Sequence, residues 1–267
     1  MATLPSATGD DASPRAPRPS GPEEDGEQPG GADGRDPDAT ASPRAGAASG
    51  GRLGSRFSPG PRAVWKEVPD DQWNDWHWQQ RERITRLDQL ERVIRVTPDE
   101  RRAAIETERD FHMGITPYYA ALMDPEDPRC PVRLQAVPTM GEALVAPADL
   151  EDPLAEERDM PVPGVTHRYP DRVLFYITHN CPVYCRHCTR KRKVADPTSA
   201  AAKKQVEDGL LYIERHPEIR DVVISGGDPL SLSDERLDYI LGRLRAIPHV
   251  EMFRLGTRNL VTLPQRV

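Results

Sequence analysis

Long apolar runs are missing from this 267-residue sequence. No stretch approaches the roughly 18 apolar residues that a membrane-spanning helix needs. Cysteine is scarce: four thiols in a chain of this length are too few for a disulfide framework, so a reducing, cytoplasmic setting is expected. Positive charge is in deficit, with a formal net charge of −7, and nothing global favours nucleic acid as a partner. The first 61 residues hold no Val, Ile, Trp or Tyr, and Phe57 is their single aromatic. Such a segment cannot bury enough apolar surface to offset its ordering entropy, and residues 1–61 are expected to be a disordered tail. The tail has no apolar h-region of a secretory signal, and its acidic residues argue against an organellar transit peptide. The remaining roughly 200 residues are of ordinary single-domain size.

What is present falls into two regions. Residues 62–165 read as a helical N-terminal region. All four tryptophans sit together in "WKEVPDDQWNDWHWQQRERI", at 65, 73, 76 and 78. Asp70 or Asp71 is expected to cap a helix beginning near Gln72, with Trp73 and Trp76 on one face pinned to a larger body. In "TPDERRAAIETERDFHMGI", Thr97 is the N-cap, Pro98 stands at the first helical position and Glu100 completes a capping box. "ITPYYAALMD" reads as another short helix. Cys130, alone in the proline-rich "DPEDPRCPVRLQAVP", reads as a structural thiol.

Residues 166–267 change pattern. "RVLFYIT" (172–178), "DVVIS" (221–225) and "HVEMFRLGT" (249–257) read as strands. Residues 198–217 and 231–247 between them have helical periodicity, the latter capped by Ser231 or Ser233. Alternating strand and helix with short connections means βαβ units, a parallel sheet and an α/β fold. Polar signatures close each strand: C-x3-C-x2-C after the first, "GGDPL" after the second, "GTR" at the third. Sites of parallel α/β folds gather at the C-terminal strand ends, so the three are expected on one rim.

Cys181, Cys185 and Cys188 lie within eight residues, which neither a helix nor a strand can present together, so the loop must wrap around something. Three thiols suit a [4Fe–4S] cluster with one iron left open to an outside ligand. Zinc completed by His179 or His187 is the alternative, and would make the chain a non-enzymatic interaction module with a basic loop. Gly226 and Gly227 serve either a tight βα turn or close approach to a ligand. Lys191, Arg192 and Lys193 read as a solvated or fold-stabilising charge run.

"RYPDRVLFYITHNCPVYCRHCTRKR", "SGGDPLSLSD" and "LGTRNLVTLPQR", with "VPDDQWNDWHWQ" and "DPRCPVRLQAVPT", resemble the lysine 2,3-aminomutase family of the radical S-adenosylmethionine superfamily. The resemblance runs from about residue 64 to the end. It implies a partial (βα) barrel of radical SAM type, of which about the first three βα units are present. It implies three cofactors: a [4Fe–4S] cluster, S-adenosyl-L-methionine and pyridoxal 5′-phosphate. Cys181, Cys185 and Cys188 match the cluster ligands. His187 matches a residue beside the adenine. Ser225, Gly226, Gly227 and Asp228 match the turn that meets the methionine part. Arg190 matches the arginine that pairs with the substrate's carboxylate, in keeping with the planar guanidinium fork. Arg172 matches an arginine on the phosphate of pyridoxal phosphate. The implied reaction moves an amino group from C2 to C3 of an amino acid, most directly L-lysine to β-lysine, with glutamate or arginine as alternatives. An electron donor for the cluster and a homo-oligomer of the full-length protein are the implied partners.

One departure bears on activity. The family's Schiff-base lysine lies well downstream of the third strand, whereas the five lysines here are Lys66, Lys191, Lys193, Lys203 and Lys204. The chain is therefore expected to be C-terminally truncated, without the half that carries that lysine and the residues that read the substrate's far end.

Overall fold

A computed structural model describes residues 64–108, 111–144, 146–147, 149–191, 193–194 and 203–267. The expected tail, 1–61, lies outside the described residues, as does Arg192. All described residues belong to one compact unit.

The lead-in is a chain of short helices: α1 (Asp70–Trp73), α2 (Trp76–Arg81), α3 (Leu87–Leu90), α4 (Pro98–Glu106), α5 (Pro117–Ala120) and α6 (Pro131–Leu134). The single tryptophan helix expected near Gln72 is in fact two. Asn74 ends α1, and the Asp75 side chain accepts the His77 N–H to start α2. The break changes which rings are buried. Trp73 packs between Trp65 and Trp78, at 5.9 and 6.0 Å between ring centroids, while Trp76 lies half-buried beneath the Arg266 guanidinium. The Thr97–Glu100 capping box forms as expected. Glu100 also receives two hydrogen bonds from Arg133, at 2.8 and 2.6 Å, tying α4 to α6. Burial alone would raise the Glu100 carboxyl, but Arg133 and Thr97 outweigh it and leave it below its ordinary value. Cys130 is buried at the head of α6, its sulfur accepting the Asp124 N–H at 3.3 Å.

The second layer is a four-stranded sheet, β1 (Val165–Tyr169), β2 (Arg172–Thr178), β3 (Asp221–Gly226) and β4 (Met252–Leu255), in that spatial order. β2–β3 and β3–β4 pair in parallel, but β1 and β2 form an antiparallel hairpin through Pro170 and Asp171. The sheet is therefore mixed rather than parallel throughout. The extra strand was not expected because "VTHRY" carries little aliphatic weight. α7 (Lys203–Glu214) and α8 (Asp234–Arg245) are the crossovers, α8 capped by Ser233. Side chains alternate across a strand. Val173, Phe175 and Ile177 of β2 and Val222 and Ile224 of β3 meet Leu210 and Ile213 of α7 and Ile240 and Leu244 of α8 in one core. Fully burying each such aliphatic chain contributes about 1.5–3 kcal/mol. The opposite set, Arg172, Leu174, Tyr176 and Val223, is turned away from these helices.

A second core fills the lead-in, built on Leu90, Ile94, Ile115, Tyr119 and Met123, and it includes Val183 from the cysteine loop. Among the described residues, no helix is long and apolar enough to cross a membrane.

Candidate functional site

The loop that leaves β2 carries all three clustered cysteines, and the lead-in grips it. Arg83 donates to the Cys181 carbonyl at 2.6 Å and to Asn180 Oδ1 at 3.2 Å. The Tyr184 N–H bonds the Gly114 carbonyl at 2.9 Å, and the Arg186 N–H bonds the Gln135 carbonyl at 2.9 Å. The Arg186 guanidinium takes Glu142 in a two-pronged ion pair, the closest approach being 2.6 Å. Lys191 lies 3.7 Å from Glu142 and 4.2 Å over the Phe111 ring, and Lys193 pairs with Glu157 at 3.0 Å. These two lysines of the basic run thus make fold-stabilising contacts.

The glycine pair has a steric reason. Gly226 has φ +112°, a backbone state that side-chain-bearing residues rarely adopt, and a Cβ there would stand 2.4 Å from the Thr178 carbonyl oxygen. A Cβ on Gly227 would stand 2.4 Å from the Asn180 oxygen. Without side chains, the end of β3 presses onto the start of the cysteine loop, with Gly227 N–H to Thr178 O at 2.6 Å and Asp228 N–H to Asn180 O at 2.8 Å. Asp228 then ties in the third strand end. Its buried carboxylate accepts the Thr257 hydroxyl at 2.8 Å, the Arg258 N–H at 2.7 Å and the Leu230 N–H at 3.0 Å. Desolvation by burial nevertheless prevails and holds this carboxyl above its ordinary value. Ser225 is half-buried beside Gly256. The three strand ends do converge on one rim.

All three loop thiols are partly exposed. Burial pushes the Cys181 thiol well up, with the charges of Asp228, Cys185 and Cys188 adding to it. Burial also raises Cys185, against an opposing pull from Arg258. A metal group bound by these thiols must displace their protons. Among the described residues, no three His, Cys, Asp or Glu side chains converge on a single-ion position. A mononuclear zinc needs such convergence. Three partly exposed thiols spread along one loop at C-x3-C-x2-C spacing fit a larger iron–sulfur cluster better. His187, between Arg186 and Cys188, is exposed.

Arg190 points back to the helix-free face of the sheet. It holds Glu156 through Nε and Nη2, at 3.0 and 2.5 Å, and lies 5.3 Å over the Tyr176 ring. Burial would raise the Glu156 carboxyl, but Arg190 and Tyr176 outweigh it and leave it lowered. Glu156 also borders a cleft of about 270 Å³ with Arg168, Tyr169, Arg172, Leu174 and Val223. Arg172 sits at the opposite end of β2 from the cysteines, so the structure puts it on the cleft and not on the cysteine rim. Its guanidinium pairs with Asp171 at 2.8 Å.

Arg83, Gln135, Glu142, Glu156 and Arg258 are the site residues that sequence reasoning missed. Arg258 donates to the Cys185 sulfur and, at 2.9 Å, to Gln135 Oε1. Its place in "GTR" at a strand end is the one signal that pointed toward it.

Comparison with known proteins agrees with this geometry. Residues 165–250 match the family described as a 4Fe-4S single cluster domain. The chain is 51% identical over 204 residues to L-lysine 2,3-aminomutase of Bacillus subtilis, covering 76% of this chain and 43% of that protein. It is 50% identical over 204 residues to L-lysine 2,3-aminomutase of Clostridium subterminale, covering 76% and 49%. It is 42% identical over 198 residues to glutamate 2,3-aminomutase of Clostridioides difficile, covering 74% and 47%. The chain spans about half the length of the curated relatives it matches.

Proposed function

We propose, for a chain that belongs to the lysine 2,3-aminomutase family, a part in moving an amino group between C2 and C3 of an amino acid. Cys181, Cys185 and Cys188 hold the iron–sulfur cluster in this reading, on the rim where three strand ends meet. The cluster would supply one low-potential electron, S-adenosylmethionine the organic radical made with it, and pyridoxal phosphate the carrier of the migrating amino group. An external electron donor is the partner this chemistry requires.

The chain's own residues divide the remaining work. The turn of Ser225, Gly226, Gly227 and Asp228 gives S-adenosylmethionine a floor beside the cysteine loop, and exposed His187 offers a ring for its adenine. Arg190 binds the substrate carboxylate on the helix-free face, and Arg172, at the far end of the cleft, takes a phosphate. The cleft bordered by Arg172 and by Glu156, the partner of Arg190, offers the apolar walls of Leu174 and Val223. This assignment treats the helix-free face as the interior of a radical SAM (βα) barrel. L-Lysine is the first substrate to test and glutamate the second, following the activities named for the relatives.

The single observation that carries the reading is the placement of three partly exposed thiols on the one loop whose start the glycine turn presses against. Anaerobic reconstitution with iron and sulfide tests it. Four irons per chain, with broad visible charge-transfer absorbance that S-adenosylmethionine perturbs, are expected. Stoichiometric zinc uptake without iron would defeat it.

A further inference from the structure

We propose that Arg258 is a positioning residue for the cluster, holding the Cys185 ligand and offsetting the negative charge gained on reduction. The proposal rests on reading Cys181, Cys185 and Cys188 as cluster ligands.

The two described arginines of the cysteine loop each have a carboxylate partner. Arg186 has Glu142 and Arg190 has Glu156. Arg258, half-buried at the end of β4, has none within ion-pairing distance among the described residues. Its guanidinium is held by a neutral group, Gln135 Oε1, and directs Nη1 at the Cys185 sulfur. Gln135 is itself fixed by its amide donating to the Pro131 carbonyl at 3.0 Å. The nearby carboxylate of Asp228 is spent on the Thr257 hydroxyl and on backbone N–H groups, that of Arg258 included.

A half-buried cation without a counter-charge is partly desolvated at a cost that an anion facing it would offset. Among the described residues, the anion-forming group to which this guanidinium donates is the Cys185 sulfur. A cluster on three thiolates is anionic. Reduction takes one electron from an external donor and makes it one charge more negative, and no bond to Arg258 forms or breaks. A fixed cation donating to a ligand sulfur stabilises the reduced form more than the oxidised one and raises the midpoint potential. Arg83 is different: it donates to the Cys181 carbonyl and shapes the loop, without contact to a sulfur.

The test is an EPR-monitored redox titration of the reconstituted full chain with dithionite, beside R258Q, R258K and Q135L. R258Q should be at least tenfold harder to reduce, a midpoint lower by about 59 mV or more for a one-electron couple. R258K, which keeps the charge without the fork, should fall between. Wild-type midpoints in R258Q at equal iron content would overturn the proposal. If R258Q holds no cluster, Q135L decides: with the anchor gone, its midpoint should fall, and an unchanged midpoint and iron content would overturn it. A wild-type chain that takes up no iron defeats the cysteine reading itself, a result distinct from any of these.

Discussion

Arg190 and Glu156 face each other in a two-pronged ion pair in which the carboxylate is almost completely withdrawn from water. An internal carboxylate thus occupies the guanidinium fork that is proposed to receive the carboxylate of the substrate. Substrate either displaces Glu156 or uses the remaining guanidinium edge.

Removing the cation from this pair leaves Glu156 buried and uncompensated. R190Q should cost about 3–5 kcal/mol at neutral pH, as for other broken buried pairs. The sign with pH follows from the lowered Glu156 carboxyl. Its stabilising effect is complete above the ordinary value of 4.5 and is lost as pH falls through the lowered folded value. The deficit of R190Q, measured by urea unfolding, should therefore shrink on going from pH 7 to pH 4. A deficit independent of pH would place its origin elsewhere.

Glycine substitutions should divide sharply. G227A drives a methyl group into the Asn180 backbone and should both destabilise the fold and reduce iron content on reconstitution. G226A adds the strain of a positive φ to its clash with Thr178. Gly242 lies exposed in α8 with nothing within 4 Å of an added Cβ, so G242A should stabilise by about 0.5–1 kcal/mol. Thermal unfolding of the three variants checks the order.

Alanine at Cys181, Cys185 or Cys188 should each abolish or strongly reduce bound iron. C130A should not, because Cys130 is enclosed at the head of α6 and bonded to the Asp124 backbone. Equal iron loss in C130A would contradict the assignment.

Asp171 is held at about 2 by hydrogen bonds from Arg172 first, with Arg220 also contributing. In R172A its pKa should rise toward the ordinary 3.8, as followed by NMR titration. A depressed carboxyl favours the folded state above its ordinary value and loses that effect as pH falls toward the folded value. The Arg172 contribution is accordingly full at neutral pH and lost only in the acid range, and its solvent exposure keeps it small.

Much of the sheet could be read directly. The run RVLFYIT became β2 with the same bounds, since the six residues after Arg172 are apolar or β-branched and mostly buried, which leaves few alternatives. The caps Thr97 and Ser233 were legible because a cap is a local hydrogen bond. β1 was overlooked although Pro170–Asp171 is a turn signal between two extended runs. The tryptophan helix was drawn too long because periodicity does not register the break at Asn74. In the site, the thiols and glycines were visible from spacing alone. Their partners were not: Arg83, Glu142, Glu156 and Arg258 lie 98, 44, 34 and 73 positions from the loop residues they meet. A single sequence holds no record of contacts made at such separation.

The grip of the lead-in on the cysteine loop makes metal loading and distant folding one equilibrium. Arg83, Gly114 and Gln135 contact the loop through its backbone, and Val183 sits inside the lead-in core. Whatever stiffens the loop therefore raises the free energy of opening the amides around Ile115 and Tyr119. Hydrogen exchange at those amides, which touch no metal ligand, becomes a spectroscopically silent gauge of occupancy, slowing as iron enters and quickening as a chelator draws it out.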